Sequence, residues 1–293
     1  MHTNLIVDVQ NLGWIVRFSE KLNNNIREEY APQLILQRII LDTLFFYGKY
    51  QADGVLMAYD STKSSWRKDI YPKYKVKAKQ EADLYKDDVF WAIDQSKELF
   101  EQCSSIKTCR IDKAEADDVI AVACQHKPDD VKNVVISTDK DFIQLTKADH
   151  VEIVSPVRGQ NRETGDPDFS LFEKCIRGDT NDNIPSSFPR VRKTKLEAAW
   201  NDPTEMLNLM ETVRKDGGKV EEDYNFNKKL IDLTLQPSDL RAKILNELQT
   251  PVSGTYSQAK FMKWVKECEL KVLETDALSG KFSKMFRSDF RMT

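Results

Sequence analysis

Leu5-Ile6-Val7-Asp8-Val9 is a short apolar run that closes on an acid. Its continuous apolar character reads as a strand buried on both faces. The pattern recurs. Gly54-Val55-Leu56-Met57-Ala58-Tyr59 leads into Asp60, and Asn133-Val134-Val135-Ile136-Ser137 leads into Thr138-Asp139-Lys140-Asp141. Val151-Glu152-Ile153-Val154 is a fourth run. Between these runs, apolar residues fall at helical spacing over 34–47, 88–102 and 114–125. Strands alternating with helices predict an α/β fold, a mostly parallel sheet with flanking helices on both faces. After about residue 170 the strand signals stop. Segments 172–176, 193–200, 204–215, 224–233, 239–248 and 258–269 read as helical or ambiguous, with breaks at Gly217-Gly218 and Pro237-Ser238. The expected organisation is an α/β core over 1–182 and a smaller helical region over 183–293.

The chain has 293 residues, enough for one large domain or two modest ones with a core that needs no staples. Ten Gly, ten Pro and 10 % aromatics exclude a collagen-like, low-complexity or disordered chain. Five cysteines without CxxC spacing, and histidines only at 2, 126 and 150, argue against a disulfide framework and against zinc. No run approaches 18 apolar residues, so no membrane span is expected. The N-terminus reads as a strand rather than a signal peptide, which points to a reducing, cytoplasmic compartment. Lys plus Arg number 44 against 47 Asp plus Glu, a net charge of −3. That total counts against a polyanionic partner only if the charges are evenly spread.

They are not. Asp8, Asp60, Asp139 and Asp141 stand where strands end, and in a parallel sheet those ends face one crevice. Glu115-Ala116-Asp117-Asp118 adds three acids at a helix start, and Asp179 and Asp182 add two more. A single acid after a strand is ordinarily a turn or cap residue. Nine in five clusters at successive element ends are not explained by capping alone. Such a group needs counter-charge. Oxygen-only donors suit Mg²⁺, with Mn²⁺ the alternative, and this many acids imply two ions.

Between residues 63 and 79 lie seven cations (Lys63, Arg67, Lys68, Lys73, Lys75, Lys77, Lys79) and one acid, Asp69. Trp66, Tyr71 and Tyr74 are interleaved. Cations contact phosphates, and aromatic faces stack on unpaired bases. The stretch follows directly on Asp60, so it is expected beside the acidic crevice.

Six segments together resemble the 5′ nuclease family of flap endonucleases and 5′→3′ exonucleases, nearest its phage ribonuclease H type. They are Asp-Val-Gln-Asn at 8–11, Tyr-Asp-Ser at 59–61, Trp-Arg-Lys-Asp-Ile-Tyr-Pro-Lys-Tyr-Lys at 66–75, Glu-Ala-Asp-Asp at 115–118, Ser-Thr-Asp-Lys-Asp-Phe at 137–142 and Gly-Asp-Thr-Asn-Asp-Asn-Ile-Pro at 178–185. The resemblance covers about residues 5–190 and is weak in the C-terminal third. It implies a PIN-like nuclease core, a basic arch at about 63–100, and a helical DNA-binding region behind it. It groups Asp8, Asp60, Glu115, Asp117, Asp118 and Asp139 around a first ion and leans Asp141, Asp179 and Asp182 towards a second, with Asp118 and Asp139 in the catalytic set. Lys75 matches a lysine that contacts the scissile phosphate. Arg67, Lys68 and Tyr74 would line the strand path. The arginine usual downstream of that lysine is missing, and Lys77 or Lys79 would substitute as point charges.

The family's Gly-rich hairpin is also missing. Ser186-Ser187-Phe188-Pro189 stands in its place, which counts against a bound K⁺, although Arg190, Arg192, Lys193 and Lys195 still offer four cations to duplex phosphates. The implied activity is hydrolysis of 5′ flaps, nicked duplexes and RNA primers on DNA by a monomer. Family analogy adds a single-strand-binding protein and a sliding clamp as partners, and the host cytoplasm as location if the chain is phage-encoded. A PIN-type single-stranded ribonuclease and a non-catalytic structure-specific DNA-binding protein remain as alternatives.

Overall fold

The computed structural model describes residues 1–18, 31–76, 86–157 and 165–292. Five parallel strands form one sheet in the order β3-β2-β1-β4-β5: β1 His2–Asp8, β2 Gly54–Ala58, β3 Lys107–Cys109, β4 Val131–Ile136 and β5 Val151–Val154. The central strands carry no exposed face. Leu5, Val7, Val55, Met57, Val134 and Ile136 point into one apolar core. Ile6, Leu56, Ala58 and Val135 point into the other. This period-2 division between two cores explains why the runs read as continuously apolar.

The first core is closed by α1 (Val9–Arg17), α2 (Ala31–Lys49) and α4 (Lys86–Cys103). The second is closed by α5 (Ala116–Gln125), the 3-10 helix Asp141–Lys147 and α10 (Ser238–Gln249). Helix α3 (Trp66–Ile70) is a single short turn capped by Ser65. Beyond β5, α6 (Pro167–Arg177), α7 (Lys193–Asn201), α8 (Pro203–Met210) and α9 (Val220–Ile231) pack around their own smaller apolar clusters.

Two boundaries differ from the sequence reading. Residues 86–100 belong to core helix α4, whose Val89, Ile93 and Phe100 are wholly buried, so they are not part of an arch. The helices after residue 182 are not one separate region. Helices α11 (Gln258–Glu267) and α12 (Lys271–Leu278) return to the first core, where Phe261 and Phe286 rings meet at 4.8 Å. Strand β3 and helices α1, α3 and α12 carry no signal that the sequence reading caught. Among the described residues no helix is long and apolar enough to cross a membrane.

Candidate active site

The register of the sheet gathers the acids. Asp8 lies opposite Ala58 on β2, and Val7 opposite Ile136 on β4. Asp60 and Asp139 therefore follow the ends of the two strands that flank Asp8. Capping and clustering turn out to be the same feature. Asp8 caps α1 through Oδ1, which accepts Asn11 N–H at 3.0 Å, while its Oδ2 accepts the Ser137 hydroxyl at 2.9 Å. Asp60 Oδ1 accepts Ala116 N–H at 2.8 Å, at the start of α5. Asp139 Oδ1 accepts Asp141 N–H at 2.8 Å.

The other clusters come from tight turns. Asp179 Oδ1 accepts Asn181 N–H at 2.8 Å, and Asp179 and Ile184 pair as an isolated bridge. Gly178 permits this turn. Its φ is +71°, and a Cβ there would sit 2.4 Å from Ile184 O. Asn227 of α9, fully buried, donates to Cys175 O at 3.0 Å and to Pro185 O at 2.7 Å, tying both sides of the turn to the helix.

Seven of the nine acids form a closed circuit of mutual repulsion, which Asp118 joins through Asp60, and Asp117 through Glu115 and Asp118. Asp8 feels Asp60 and Asp139, and Asp60 feels Glu115 and Asp118. Asp182 feels Glu115 and Asp179, and Asp141 feels Asp179 and Asp139. Burial, reinforced by this repulsion, pushes Asp8 up to about 7 and Asp141 up to about 6. Asp60, Asp117 and Asp182 are raised for the same first cause. Glu115 and Asp179 go the other way. Burial opposes their ionisation, but Lys75 and Arg67 outweigh it at Glu115, and Lys174 with backbone N–H donors outweighs it at Asp179.

Glu115, Asp117 and Asp118 can bring one oxygen each within 4.8 Å of one another, a ligand-sized cluster. Their roles nevertheless separate. Asp118 is wholly buried and spends both oxygens inside the protein: Oδ1 accepts Arg67 Nη2 at 3.0 Å, and Oδ2 accepts Trp66 Nε1, Arg67 Nη1 and Glu115 N–H at 2.9–3.1 Å. Asp117 is the reverse case, because its Oδ1 is buried with no hydrogen-bond partner. That buried, unpartnered carboxylate oxygen beside Glu115 is an unused acceptor, and the carboxylate donor set suits a hard divalent ion.

Three residues expected to meet nucleic acid do not face solvent. The Arg67 side chain is 1 % exposed and pairs with Glu115 at 2.8 Å, with Asp118 and, at 3.6 Å, with Asp117. Its Nε donates to Leu230 O at 2.9 Å, so it braces α9 against the acids rather than lining a strand path. Tyr74 is 2 % exposed, and its hydroxyl donates to Glu115 at 3.0 Å and Asp182 at 3.2 Å. Trp66 is buried over Arg67, so neither aromatic offers a free face to a base. Trp66, Arg67 and Tyr74 have turned inward because the carboxylates of Glu115, Asp117 and Asp118, at the start of α5, lie beneath them.

Lys75 does face the crevice. Its Nζ lies 2.6 Å from Glu115 Oε1 with the side chain 41 % exposed, and its backbone holds φ +52°, donating N–H to Asp182 O at 3.0 Å. Lys68 is half-buried, and its ammonium has no ion pair among the described residues. Lys77 and Lys79 lie outside the described residues. Arg190, Arg192, Lys193 and Lys195 are exposed around the start of α7, with Lys193 3.9 Å from Glu197 and Lys195 over the Phe188 ring.

Lys174 of α6 was not foreseen. Its Nζ bridges Asp141 and Asp179, the latter at 2.8 Å, and so holds a cation between two of the three acids assigned to a second ion. Its link to Asp179 crosses the left-handed turn at Gly178, which no helical spacing rule anticipates.

The raised acids carry a consequence for stability. A carboxyl whose folded pKa is raised destabilises the fold above that pKa, and the penalty is relieved as pH falls through it. The two lowered groups lose their contribution only below about pH 4.5, outside this window. The metal-free protein is therefore expected to gain about 2 kcal/mol between pH 8 and pH 5.5 from Asp8 alone, on the order of 5 °C in Tm. Calorimetric scans in EDTA would show it, and a flat or falling Tm over that range would contradict the assignment.

The model of the 5′-3′ exonuclease N-terminal, resolvase-like domain matches residues 6–172. The chain is 28 % identical to ribonuclease H of Enterobacteria phage T4 over 254 residues, which is 79 % of this chain and 82 % of that protein. It is 25 % identical over 193 residues to DNA polymerase I of Streptococcus pneumoniae, spanning 62 % of this chain and 21 % of the polymerase. The fold matches the flap endonuclease of bacteriophage T5 in a pseudo-enzyme-product complex with DNA and metal ions, at TM-score 0.62, 18 % identity, and coverage of 93 % of this chain and 100 % of that one. It also matches the T5 5′-exonuclease with bound zinc, at TM-score 0.56 and 20 % identity, covering 92 % of this chain and 99 % of that one. With that N-terminal domain accounting for more than half of its length, the chain belongs to the 5′-3′ exonuclease family.

Proposed function

We propose that this protein is a divalent-metal-dependent, structure-specific 5′ nuclease that hydrolyses phosphodiester bonds, removing 5′ flaps and RNA primers from duplex DNA. The observation that carries the reading is the gathering of nine carboxylates from strand ends, a helix start and a turn into one mutually repelling group, with Lys75 a partly exposed cation on its rim. A pure nucleic-acid binder gains nothing from carboxylates turned towards phosphates.

Mg²⁺ is the ion we infer, held by Asp8, Asp60, Glu115, Asp117 and Asp139 at one position and by Asp141, Asp179 and Asp182 at a second. Bound there, it supplies a Lewis acid and an activated water for in-line displacement. The residues of the chain do the rest. Arg67, fixed by Asp118, keeps Glu115 at its post. Lys174 neutralises Asp141 and Asp179 until they are otherwise engaged. Lys75 offsets negative charge on the phosphate under attack. Arg190, Arg192, Lys193 and Lys195 surround the start of α7, where helix N–H groups and cations together favour duplex phosphates. Branched or nicked duplex DNA and RNA–DNA hybrids are the substrates this arrangement fits.

The test is an end-labelled 5′-flap duplex, a nicked duplex, an RNA-primed template and single-stranded RNA, each with Mg²⁺ or EDTA. Cleavage of the branched and primed substrates in Mg²⁺, none in EDTA, and loss in an Asp139→Asn variant are expected. Cleavage that persists in EDTA, or in the variant at full rate, overturns the metal-dependent reading. Cleavage of single-stranded RNA alone transfers the protein to the PIN-type ribonucleases.

A further inference from the structure

The join between β1 and β4 contains a polar clamp that helix capping does not require. Strand β1 ends at Asp8 and the chain passes at once into α1, while the backbone of β4 runs on beyond Ile136. Ser137 N–H still finds a sheet partner, donating to Val154 O of β5 at 3.1 Å. The next N–H, that of Thr138, points to the β1 side, where strand has already given way to helix. A backbone donor left there without a partner costs free energy. Asn11, in the first turn of α1, supplies the partner. Its Oδ1 accepts Thr138 N–H at 2.9 Å, and its Nδ2 donates to Thr138 Oγ1 at 2.9 Å.

These contacts close a ring around two of the acids. Asp8 Oδ1 accepts Asn11 N–H, and Asp8 Oδ2 accepts the Ser137 hydroxyl. Ser137 Oγ in turn accepts Asp139 N–H at 3.0 Å. Asp8 and Asp139 come from neighbouring strands, and the ring fixes one against the other. Ser137 is wholly buried and its N–H is tied to the sheet, so that side of the ring is rigid. Thr138 is the residue at which β4 leaves the sheet, and the Asn11 amide holds it. The cap of α1 uses only the backbone N–H of Asn11. The Asn11 side chain is therefore free of the capping role and serves Thr138 alone among the described contacts.

We propose that Asn11, acting through Thr138, is a positioning residue that sets which divalent ion the first position prefers, raising Mg²⁺ affinity relative to Ca²⁺. This inference rests on the metal-dependent reading above. Mg²⁺ demands near-ideal octahedral geometry with short bonds, whereas the larger Ca²⁺ accepts variable coordination at longer distances. Two carboxylates held at a fixed separation suit the first ion. Two carboxylates free to move apart suit the second. Asn11 offers no ligand atom in this role, since both polar atoms of its side chain are engaged by Thr138. Contacts of this kind, one bond removed from the ligands, tune affinity through orientation.

Calorimetric titration of the full chain with Mg²⁺ and, separately, with Ca²⁺ tests this. Asn11→Ala is expected to weaken Mg²⁺ binding about tenfold or more and Ca²⁺ binding by less than about threefold. Its Tm in EDTA falls by no more than about 4 °C, because the cap of α1 is untouched. Thr138→Val, which keeps the size of the side chain but removes the hydroxyl, shifts the ratio of the two affinities the same way. Thr138→Ser keeps the hydroxyl and retains the ratio of the unaltered chain. Equal losses for the two ions in Asn11→Ala, or an unchanged ratio, overturn the proposal and leave the metal-dependent reading standing. Failure of the unaltered chain to bind either ion overturns that reading, and this inference with it.

Discussion

Asp117→Asn and Asp118→Asn, one residue apart, are expected to fail in opposite ways. Asp117→Asn keeps the fold, raises the Tm of the metal-free protein and lowers turnover by about 10²-fold or more, a loss typical of removing one electrostatic contact in a transition state. Asp118→Asn lowers Tm by roughly 6–12 °C whether or not metal is present. The reason lies in where their oxygens go. Burial pushes the Asp117 carboxyl well up and Oδ1 lacks a partner, so its charged form is costly in the metal-free protein. An amide removes that cost and, with it, the negative charge that would attract the ion. Asp118 accepts from Trp66, from both Arg67 terminal nitrogens and from Glu115 N–H. An amide there turns an NH₂ group towards donors and strips one counter-charge from a fully buried guanidinium, a loss of about 3 kcal/mol. Differential scanning calorimetry with and without Mg²⁺, beside a flap-cleavage rate, separates the two. If Asp118→Asn melted like the unaltered chain but lost metal affinity, Asp118 would be a ligand and the brace role would fall.

That contrast also marks how far the sequence reaches. The four long strands were legible because burial on both faces leaves a run of Leu, Ile and Val that few other structures produce. Their shared polarity then put Asp8, Asp60 and Asp139 at one edge by topology alone. Lys107–Cys109 was not legible, since three residues at a sheet edge carry neither alternation nor an apolar run. The basic stretch was located correctly but its inward side was not. Arg67 and Asp118 are 51 positions apart, and only the folded sheet reveals that one lies under the other. Composition reports charge, not the direction in which a side chain points. Likewise, an amphipathic segment such as 86–103 reads the same in an arch as against a core. What decides is the apolar surface of α1 and α2 that receives it.

Lys75→Ala is expected to lower the rate of flap cleavage by about 10²–10³-fold while changing substrate affinity by less than about threefold. Binding of the duplex rests on many cations spread over a surface, so one fewer weakens it little. The chemical step has fewer alternatives, since Arg67 is spent on Glu115 and Asp118 and Lys174 on Asp141 and Asp179. Lys75 sits at the rim, half in solvent, held there by a left-handed backbone turn whose N–H is tied to Asp182 O. Its removal leaves Glu115 still paired with Arg67 and hydrogen-bonded by Tyr74, so the fold survives. It also leaves the acidic cluster more negative, which predicts tighter binding of a divalent ion in the same variant. Single-turnover rates, substrate affinity measured in Ca²⁺ and metal titration by calorimetry read the three quantities separately. Lys75→Arg should recover part of the rate, because the charge is kept although its geometry changes. Unchanged turnover in Lys75→Ala would remove Lys75 from the reaction. A fall in affinity matching the fall in rate would make it a binding residue only.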